Sequence, residues 1–271
     1  MKMSKIRKFI ILILVLVIIG AVSYLGIEGY KLYKQKAKYD DLAKFLMSNT
    51  TNNNEQRVEI ENVINEPQIV VTDRMEKVKE LNKNNSDIVG WIEIPNTTVN
   101  YPVLKGKDNS YYLNHDYEKK FSNLGSIFLD KDVDIEKPST NLLMYGHRNK
   151  SNMMFEQVYK YRSEAFYKEH PNIRVTTLKC DSEYTVIGAM YAKSYEFNED
   201  LDGSAFKFYN FIEANNEEEF DNYINNIKSN SVYNINETAR YGDKLITLCT
   251  CEYTQKNGRF IVVAKKTYNI Q

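Results

Sequence analysis

Cys251 is the residue whose position in the sequence best suits a nucleophile. It follows the apolar run 245–250 and precedes the polar stretch 252–258, so it lies where a predicted strand meets a loop. A side chain at the end of a strand faces a rim that substrates can reach. A free cysteine is more often an inert, buried small hydrophobe, and position alone leaves the two interpretations about equal.

Cys249 lies two residues before Cys251, and on an extended strand both side chains point to the same face. Their Cβ atoms are then about 6.5–7 Å apart, whereas a disulfide needs about 4 Å. We therefore expect no bridge between them. The chain has only three cysteines, the third being Cys180, and this odd number leaves at least one thiol unpaired.

A cysteine nucleophile needs an imidazole beside it, and the sequence offers three histidines. His147 follows the apolar segment Asn141–Tyr145, so it also lies at the end of a predicted strand. His115 lies in a polar, tyrosine-rich stretch, and His170 lies in a predicted turn. Only His147 has a local setting like that of Cys251, and we predict that it is the proton partner.

Arg259 opens the last predicted strand, after a turn at 256–258. A hairpin that joins the segments 245–250 and 260–264 returns Arg259 close to Cys251. A guanidinium at that place can lower the pKa of the thiol or donate hydrogen bonds to an oxyanion. Without the neighbouring cysteine, a solvated hairpin arginine would be the better interpretation.

A thiol-based metal or redox site is the competing chemistry. Cys249 and Cys251, with Cys180 or His147, would supply three or four ligands of the kinds that zinc binds. The close pair has C-x-C spacing and no second pair follows it. No carboxylate cluster has metal-ligand spacing either, so the sequence predicts no metal centre.

The charge of the chain is balanced, with 36 basic and 36 acidic residues among 271. No basic field and no basic run with interleaved aromatic residues is present in the body of the chain, which argues against nucleic-acid binding.

The N-terminus predicts a membrane anchor. Residues 9–27 form an uncharged apolar run of 19 residues, which is long enough to cross a bilayer. Four basic residues within 1–8 precede it and favour a cytoplasmic tail, although further lysines follow the run. A cleaved signal peptide is the alternative, but no small-x-small site stands out after Gly20. Residues 28–72 read as a polar helix or stalk with a spacer at 48–54.

The body of the chain, 73–271, predicts a mostly β domain. Eight short segments are rich in β-branched or aromatic residues and are bounded by Gly, Pro, Asn or Asp. These segments are 88–94, 98–103, 126–129, 141–145, 173–177, 184–192, 245–250 and 260–264. Eight strands with few helices between them indicate a sandwich or a closed barrel.

Three further segments predict helices. The segment 74–82 follows Asp73 as a predicted N-cap, with Glu76 completing a capping pattern. The segments 152–167 and 217–228 carry apolar residues at helical spacing and interrupt the strands. We expect both of these insertions to pack one face on the barrel.

The ordered set of motifs resembles the sortase family, and class B in particular. The segment TLCTC, 247–251, followed by Arg259 in GRFIVVAK, is similar to the sortase TLxTC…R motif, and YGH, 145–147, to its histidine motif. The segment DIVGWIEIPNTTVNYP, 87–102, resembles the opening strands. NSYYL, GSIFLD and NMMFEQV also have class B character. The resemblance covers about residues 73–268, and Cys249 departs from it because serine is frequent there in class B.

The resemblance implies a closed eight-stranded β-barrel with N-terminal helices and a helical insertion before the last two strands. It also implies a cysteine transpeptidase in which Cys251 attacks the Thr carbonyl of a C-terminal sorting motif on a surface protein. His147 would transfer protons, and Arg259 would stabilise the oxyanion. An amine of the cell-wall peptidoglycan precursor would resolve the acyl-enzyme, and no metal or organic cofactor is needed.

The resemblance further implies that Cys249, Thr250 and Glu252 lie at the substrate site, although the side chain of Glu252 is expected to point away from Cys251. It implies an enzyme anchored by a single span on the outer face of a Gram-positive cell membrane. The alternative is an anchored binding module that keeps the barrel without the catalysis.

Overall fold

The computed structural model describes residues 5–48, 57–59, 71–196, 199 and 203–270. The chain divides into two compact units, residues 1–45 and 46–271. The first unit consists of most of helix α1 (Lys5–Met47), which is continuous through the run 9–27 and on into the segment predicted as a stalk. The apolar part of α1 is long enough to cross a membrane, and none of it is buried within the protein.

Within the described part of the second unit, nine strands form one mixed sheet. They are β1 (Arg57–Glu59), β2 (Ile88–Glu93), β3 (Asn100–Leu104), β4 (Ile127–Leu129), β5 (Asn141–Tyr145), β6 (Asn172–Thr177), β7 (Asp181–Lys193), β8 (Leu245–Cys251) and β9 (Gly258–Ile270). The order is β1-β9-β7-β6-β2-β3-β4-β5-β8, and β8 also pairs with β9. Strands β2 to β9 therefore close into an eight-stranded barrel, as predicted.

The ninth strand, β1, was not predicted. Its three residues pair with the C-terminal end of β9, with Arg57 opposite Ile270 and Glu59 opposite Tyr268. It lies inside the segment 28–72 that was predicted as a stalk. Such a short strand is defined by its partner, since it carries no apolar run of its own.

Apolar strand residues are buried on both faces of the sheet, with Trp91, Ile92, Phe128, Phe260 and Ile261 almost completely buried. Strands β8 and β9 are buried along most of their length, which explains their uninterrupted apolar sequences.

Two pairings decide where the functional side chains lie. Strand β5 runs parallel to β8, with Tyr145 opposite Cys249. Parallel neighbours end at the same edge of a sheet. Strand β8 runs antiparallel to β9, with Cys251 opposite Arg259. The ends of β5 and β8 and the beginning of β9 consequently meet at one end of the barrel.

Helix α2 (Asp73–Asn84) was predicted with the wrong cap. The N-cap is Thr72, whose hydroxyl accepts a hydrogen bond from the Met75 N–H. The same hydroxyl donates to the Asp181 carboxylate at 3.1 Å, so it also ties the helix to strand β7. This second partner, 109 residues away, was not evident in the local sequence pattern.

The predicted continuous helix over 152–167 is wrong. The segment forms two 3-10 turns, Met154–Glu156 and Val158–Arg162, followed by the short helix α3 (Glu164–Glu169). Asn152 and Met154 both have φ values in the left-handed region, 61° and 54°. That backbone lets consecutive side chains reach the core, but it cannot continue a helix. The second insertion forms helix α4 (Glu217–Asn230), as predicted.

Candidate active site

The ends of β5 and β8 are joined by hydrogen bonds just before His147 and Cys251. The Gly146 N–H donates to the Cys249 carbonyl at 3.1 Å. The Thr250 hydroxyl donates to the Gly146 carbonyl at 2.9 Å. His147 and Cys251 are thus the first residues beyond these two hydrogen bonds. Strand pairing therefore fixes the backbone immediately before each of the two side chains.

Gly146 has a second role in placing His147. A Cβ at this position would lie 2.5 Å from the Ile127 Cδ1 and 2.6 Å from the ring of Phe155, so no side chain fits. The Phe155 N–H in turn donates to the His147 carbonyl at 3.0 Å. The backbone on both sides of the imidazole is therefore fixed.

Arg259 lies on β9 directly opposite Cys251 in the antiparallel pair. Opposite residues in such a pair have Cβ atoms about 4.5–5.5 Å apart and point to the same face. The Arg259 Nη1 donates to the Gly258 carbonyl at 2.9 Å, and Arg259 lines the same cleft as Cys251 and His147. The structure therefore brings together all three predicted catalytic residues, Cys251, His147 and Arg259.

The three groups change each other's proton affinity. A hydrogen bond to His147 lowers the pKa of the Cys251 thiol, and the positive charge of Arg259 lowers it further, against the opposing effect of burial. The same hydrogen bond to Cys251 raises the pKa of His147. The shifts favour a thiolate beside an imidazolium, which is the reactive form of a cysteine nucleophile.

His147 has one more partner. Its Nε2 lies 2.6 Å from the backbone carbonyl oxygen of Leu113, in the 3-10 turn Tyr111–Leu113. This hydrogen bond also raises the pKa of His147.

A cleft of about 380 Å³ opens in front of these groups. Its walls come from the three strand ends, from the 3-10 turn and from the segment after β7. The lining residues include Asn109, Tyr145, His147, Tyr209, Cys251 and Arg259. An extended peptide segment of a few residues fits a cleft of this size.

The three residues predicted at the substrate site occupy different environments. Cys249 and Thr250 line the cleft. Cys249 is 2% exposed, and burial raises the pKa of its thiol to about 12. The Thr250 hydroxyl donates a hydrogen bond to the Gly146 carbonyl. Glu252 is only 2% exposed, and its carboxylate accepts hydrogen bonds from the Thr254 N–H and hydroxyl, within the turn between β8 and β9.

Sequence reasoning missed Arg148. Its Cζ lies 3.6 Å from the centre of the Tyr159 ring and 5.3 Å from that of Tyr253, so the guanidinium stacks between two aromatic side chains. Its charge contributes to the lowered pKa of Cys251. Its position next to His147 was the one available signal.

A buried carboxylate at the far side of the cleft was also missed. Asp130 is 4% exposed and accepts hydrogen bonds from the Tyr145 hydroxyl and the Asn109 amide, both at 2.8 Å. This contact holds the phenol of Tyr145 in the wall of the cleft. No local pattern marked it, because the three residues are distant in sequence.

The competing metal site finds no support in the geometry. Cys180 lies in the turn between β6 and β7 and contacts Lys266, which is seven residues along β9 from Arg259. Among the residues with described positions, no group of three or more His, Cys, Asp or Glu side chains is arranged to hold a metal ion.

The profile of the sortase domain matches residues 92–267. The chain belongs to the sortase family. It is 30% identical to sortase B of Staphylococcus aureus over 219 residues, which cover 78% of this chain and 84% of that protein. It is 32% identical to sortase B of Listeria monocytogenes over 193 residues, which cover 70% and 74% of the two chains.

A solved structure agrees with these sequence relatives. The S. aureus sortase B–substrate complex superimposes on this sortase with a TM-score of 0.70 at 27% identity, covering 86% of this chain and 96% of the other. The resemblance to class B sortases is thereby confirmed, and so is the closed barrel. The protein is a cysteine transpeptidase of the sortase type.

Proposed function

We propose that this sortase cleaves a C-terminal sorting motif of surface proteins after a Thr residue and transfers the acyl group to an amine of the cell-wall precursor. The observation that carries the proposal is the meeting of Cys251, His147 and Arg259 in one cleft, at paired strand ends. The family relationship supports the reaction class.

In the first half-reaction, the Cys251 thiolate attacks the Thr carbonyl carbon, and the carbonyl oxygen becomes an oxyanion. Arg259 donates hydrogen bonds to this oxygen from the opposite strand. The His147 imidazolium gives its proton to the departing amine as the C–N bond breaks. A thioester on Cys251 and a neutral imidazole remain.

In the second half-reaction, the wall amine attacks the thioester carbon and gives a proton to His147. The C–S bond then breaks, and the thiolate and imidazolium are restored. Protons and charges therefore balance over the cycle without a metal or an organic cofactor. Cys249 and Thr250 would line the path of the peptide. Glu252 would support the reaction indirectly, by stabilising the β8–β9 turn that connects Cys251 and Arg259.

We further propose that α1 anchors the enzyme by a single span at 9–27, with a cytoplasmic tail at 1–8 and the catalytic domain, 73–271, outside a Gram-positive cell. A long apolar helix with basic residues before it supports this arrangement. The segment 28–72 would link the span to the barrel.

The test uses full-length protein in detergent micelles, a panel of sorting peptides and triglycine as the acceptor amine. We expect a thioester on Cys251 by mass spectrometry and a transpeptidation product. Cys251→Ala should lower turnover by at least about 10³-fold. Cys249→Ser is the matched control, two residues away on the same strand face, and it should keep most of the activity.

The opposite pattern would overturn the assignment: an inactive Cys249→Ser variant beside an active Cys251→Ala variant. If no peptide of the panel formed a thioester with the wild-type protein, the proposed cleavage of a C-terminal sorting motif would be wrong.

A further inference from the structure

We propose that the backbone carbonyl of Leu113 is the positioning group of His147: it selects the Nε2–H tautomer and leaves Nδ1 to exchange the proton with Cys251. The inference rests on the proposed function for its catalytic meaning, but the geometry that carries it is independent of any substrate. In many Cys–His and Ser–His pairs a side-chain carboxylate or amide orients the imidazole.

The imidazole is the donor in its contact with Leu113. The Nε2 of His147 and the oxygen of Leu113 are 2.6 Å apart. A carbonyl oxygen only accepts hydrogen bonds, so Nε2 must carry the proton. In a neutral imidazole the other nitrogen then has a free lone pair. That nitrogen, Nδ1, is the one left to accept a proton from the thiol.

Hydrogen bonds on both sides keep the Leu113 carbonyl in place. The 3-10 turn that ends at Leu113 is held at its start by the Asp108 carboxylate, which accepts from the N–H groups of Ser110 and Tyr111. Next to Leu113, the Ser126 N–H donates to the Tyr112 carbonyl at 2.9 Å. The turn is therefore bound at its beginning and near its end.

Gly125 packs closely against the backbone of the same turn. It has a φ of +58°, and a Cβ on it would lie 2.6 Å from the carbonyl oxygens of both Tyr112 and Leu113. These are backbone atoms, which cannot rotate away as a side chain can. Only glycine leaves room for the Leu113 carbonyl at its observed position.

Two buried acids near the cleft could have taken this role, but both have other partners. The Glu252 carboxylate is bound to Thr254. The Asp130 carboxylate is bound to Tyr145 and Asn109. The partner of Nε2 is instead the Leu113 carbonyl.

The chain contains its own reference groups for a direct test. His115 and His170 also contact carbonyl oxygens, but through Nδ1: His115 with Tyr111 at 2.8 Å and His170 with Pro95 at 3.0 Å. The three histidines of the protein should therefore divide into one Nε2–H form and two Nδ1–H forms.

The measurement is a solid-state ¹⁵N spectrum of full-length protein in liposomes, labelled with [¹⁵N]histidine. Cys251→Ala removes the thiol, so that His147 is neutral at alkaline pH. His147→Gln identifies its signals by their loss. We expect a protonated Nε2 and an unprotonated Nδ1 for His147, and the reverse for the other two. A protonated Nδ1 on His147, or an exchanging mixture of forms, would overturn the proposal.

A kinetic test uses Gly125→Ala, with Gly242→Ala as the matched control. Gly242 also has a positive φ, +98°, but nothing lies within 4 Å of its Cβ position, and it precedes β8 at the other end of the strand from Cys251. Both variants put alanine in the left-handed region, and only one displaces a carbonyl.

We expect Gly125→Ala to lower kcat about tenfold or more, to leave KM within about twofold, and to shift alkylation of Cys251 to higher pH. The control should change none of these. Equal losses in both variants, or a normal kcat and pH profile in Gly125→Ala, would refute the role. If Gly125→Ala does not fold, the ¹⁵N spectrum decides. The ¹⁵N spectrum needs no peptide substrate. A failure of the proposed function and a failure of the Leu113 proposal can therefore be told apart.

Discussion

At the scale of single residues, the clearest contrast is between two thiols on one strand face. Burial raises the pKa of Cys249 to about 12. Two residues further on, hydrogen bonding to His147 and the charge of Arg259 lower the pKa of Cys251. Residue type and strand face are the same, so the surroundings alone account for the opposite pKa shifts of the two thiols.

The pH dependence of alkylation follows from these directions. A lowered pKa means that the thiolate of Cys251 forms at a lower pH than that of an ordinary thiol, so its alkylation should reach half its maximum below about pH 8.5. Substituting His147→Ala removes the largest cause of the shift and should move this midpoint upward. Iodoacetamide labelling followed by peptide mass spectrometry measures both curves.

The experiment needs a Cys180→Ser background, because Cys180 is partly exposed. Cys249 should stay unlabelled over the same pH range because it is buried with a raised pKa. An unchanged midpoint in His147→Ala would show that the imidazole does not control the thiol.

The sequence indicated the side chains that the structure brings together at this site, but not the backbone carbonyl that contacts His147. Cys251, His147 and Arg259 could be found because each stands beside a predicted strand end. The hydrogen-bond partner of His147 could not be found, since a backbone carbonyl is present at every residue and leaves no compositional signal. Arg148 was missed because its stacking partners, Tyr159 and Tyr253, are distant in sequence.

At the scale of elements, the turn between β8 and β9 links Cys251 to Arg259. Glu252 begins this turn, and its N–H donates to the Gly258 carbonyl at 3.0 Å. Its buried carboxylate holds Thr254. The turn therefore fixes the residue directly before Arg259, and we infer that Glu252 supports catalysis by shaping this turn.

Substituting Glu252→Gln should weaken the turn, because an amide cannot reproduce both charge-assisted bonds to Thr254. We expect a loss of about 1.5–3 kcal/mol in the free energy of unfolding and a lower kcat/KM. Urea titration and peptide turnover measure the two quantities. Glu218→Gln, on the exposed first turn of α4, is the control and should change neither.

If Glu252→Gln keeps the turnover and the stability of the wild type, Glu252 does not support catalysis through the β8–β9 turn. A loss of stability with an unchanged kcat/KM would make the carboxylate purely structural.

The elements that were predicted well are those with a strong local pattern. All eight barrel strands were expected from apolar runs and their boundaries. Strand β9 was predicted too short, because its second half is only partly buried and pairs with β7 and β1. The segment 152–167 has apolar residues at helical spacing, but tertiary packing overrides that pattern through two left-handed residues.

At the scale of the whole molecule, the two ends of the barrel differ. The cleft that contains Cys251, His147 and Arg259 lies where β8 ends. A larger cavity of about 560 Å³ opens where β8 begins, and its lining includes Leu245, Cys180 and Ile270 but none of the three proposed catalytic residues. Cavity size alone would therefore favour the end where β8 begins, whereas the chemistry of the lining side chains favours the end that holds Cys251.

The first unit of the chain, helix α1, leads to the last prediction. Nineteen uncharged residues, 9–27, can cover the hydrocarbon of a bilayer as a helix. We expect the full-length protein to stay in the membrane fraction after an alkaline carbonate wash. A variant that lacks residues 1–27 should be released into the soluble fraction.

An intact-mass measurement on the membrane-extracted protein separates an anchor from a cleaved signal peptide, because an anchor retains residues 1–27 and a signal peptide loses them. Deletion of the residues 2–8 alone is the matched control: it removes basic charge but keeps the apolar helix, so the protein should remain in the membrane. Release of the full-length protein by carbonate would show that α1 does not span the bilayer, since the cost of extracting so many apolar side chains is far beyond what a surface association resists.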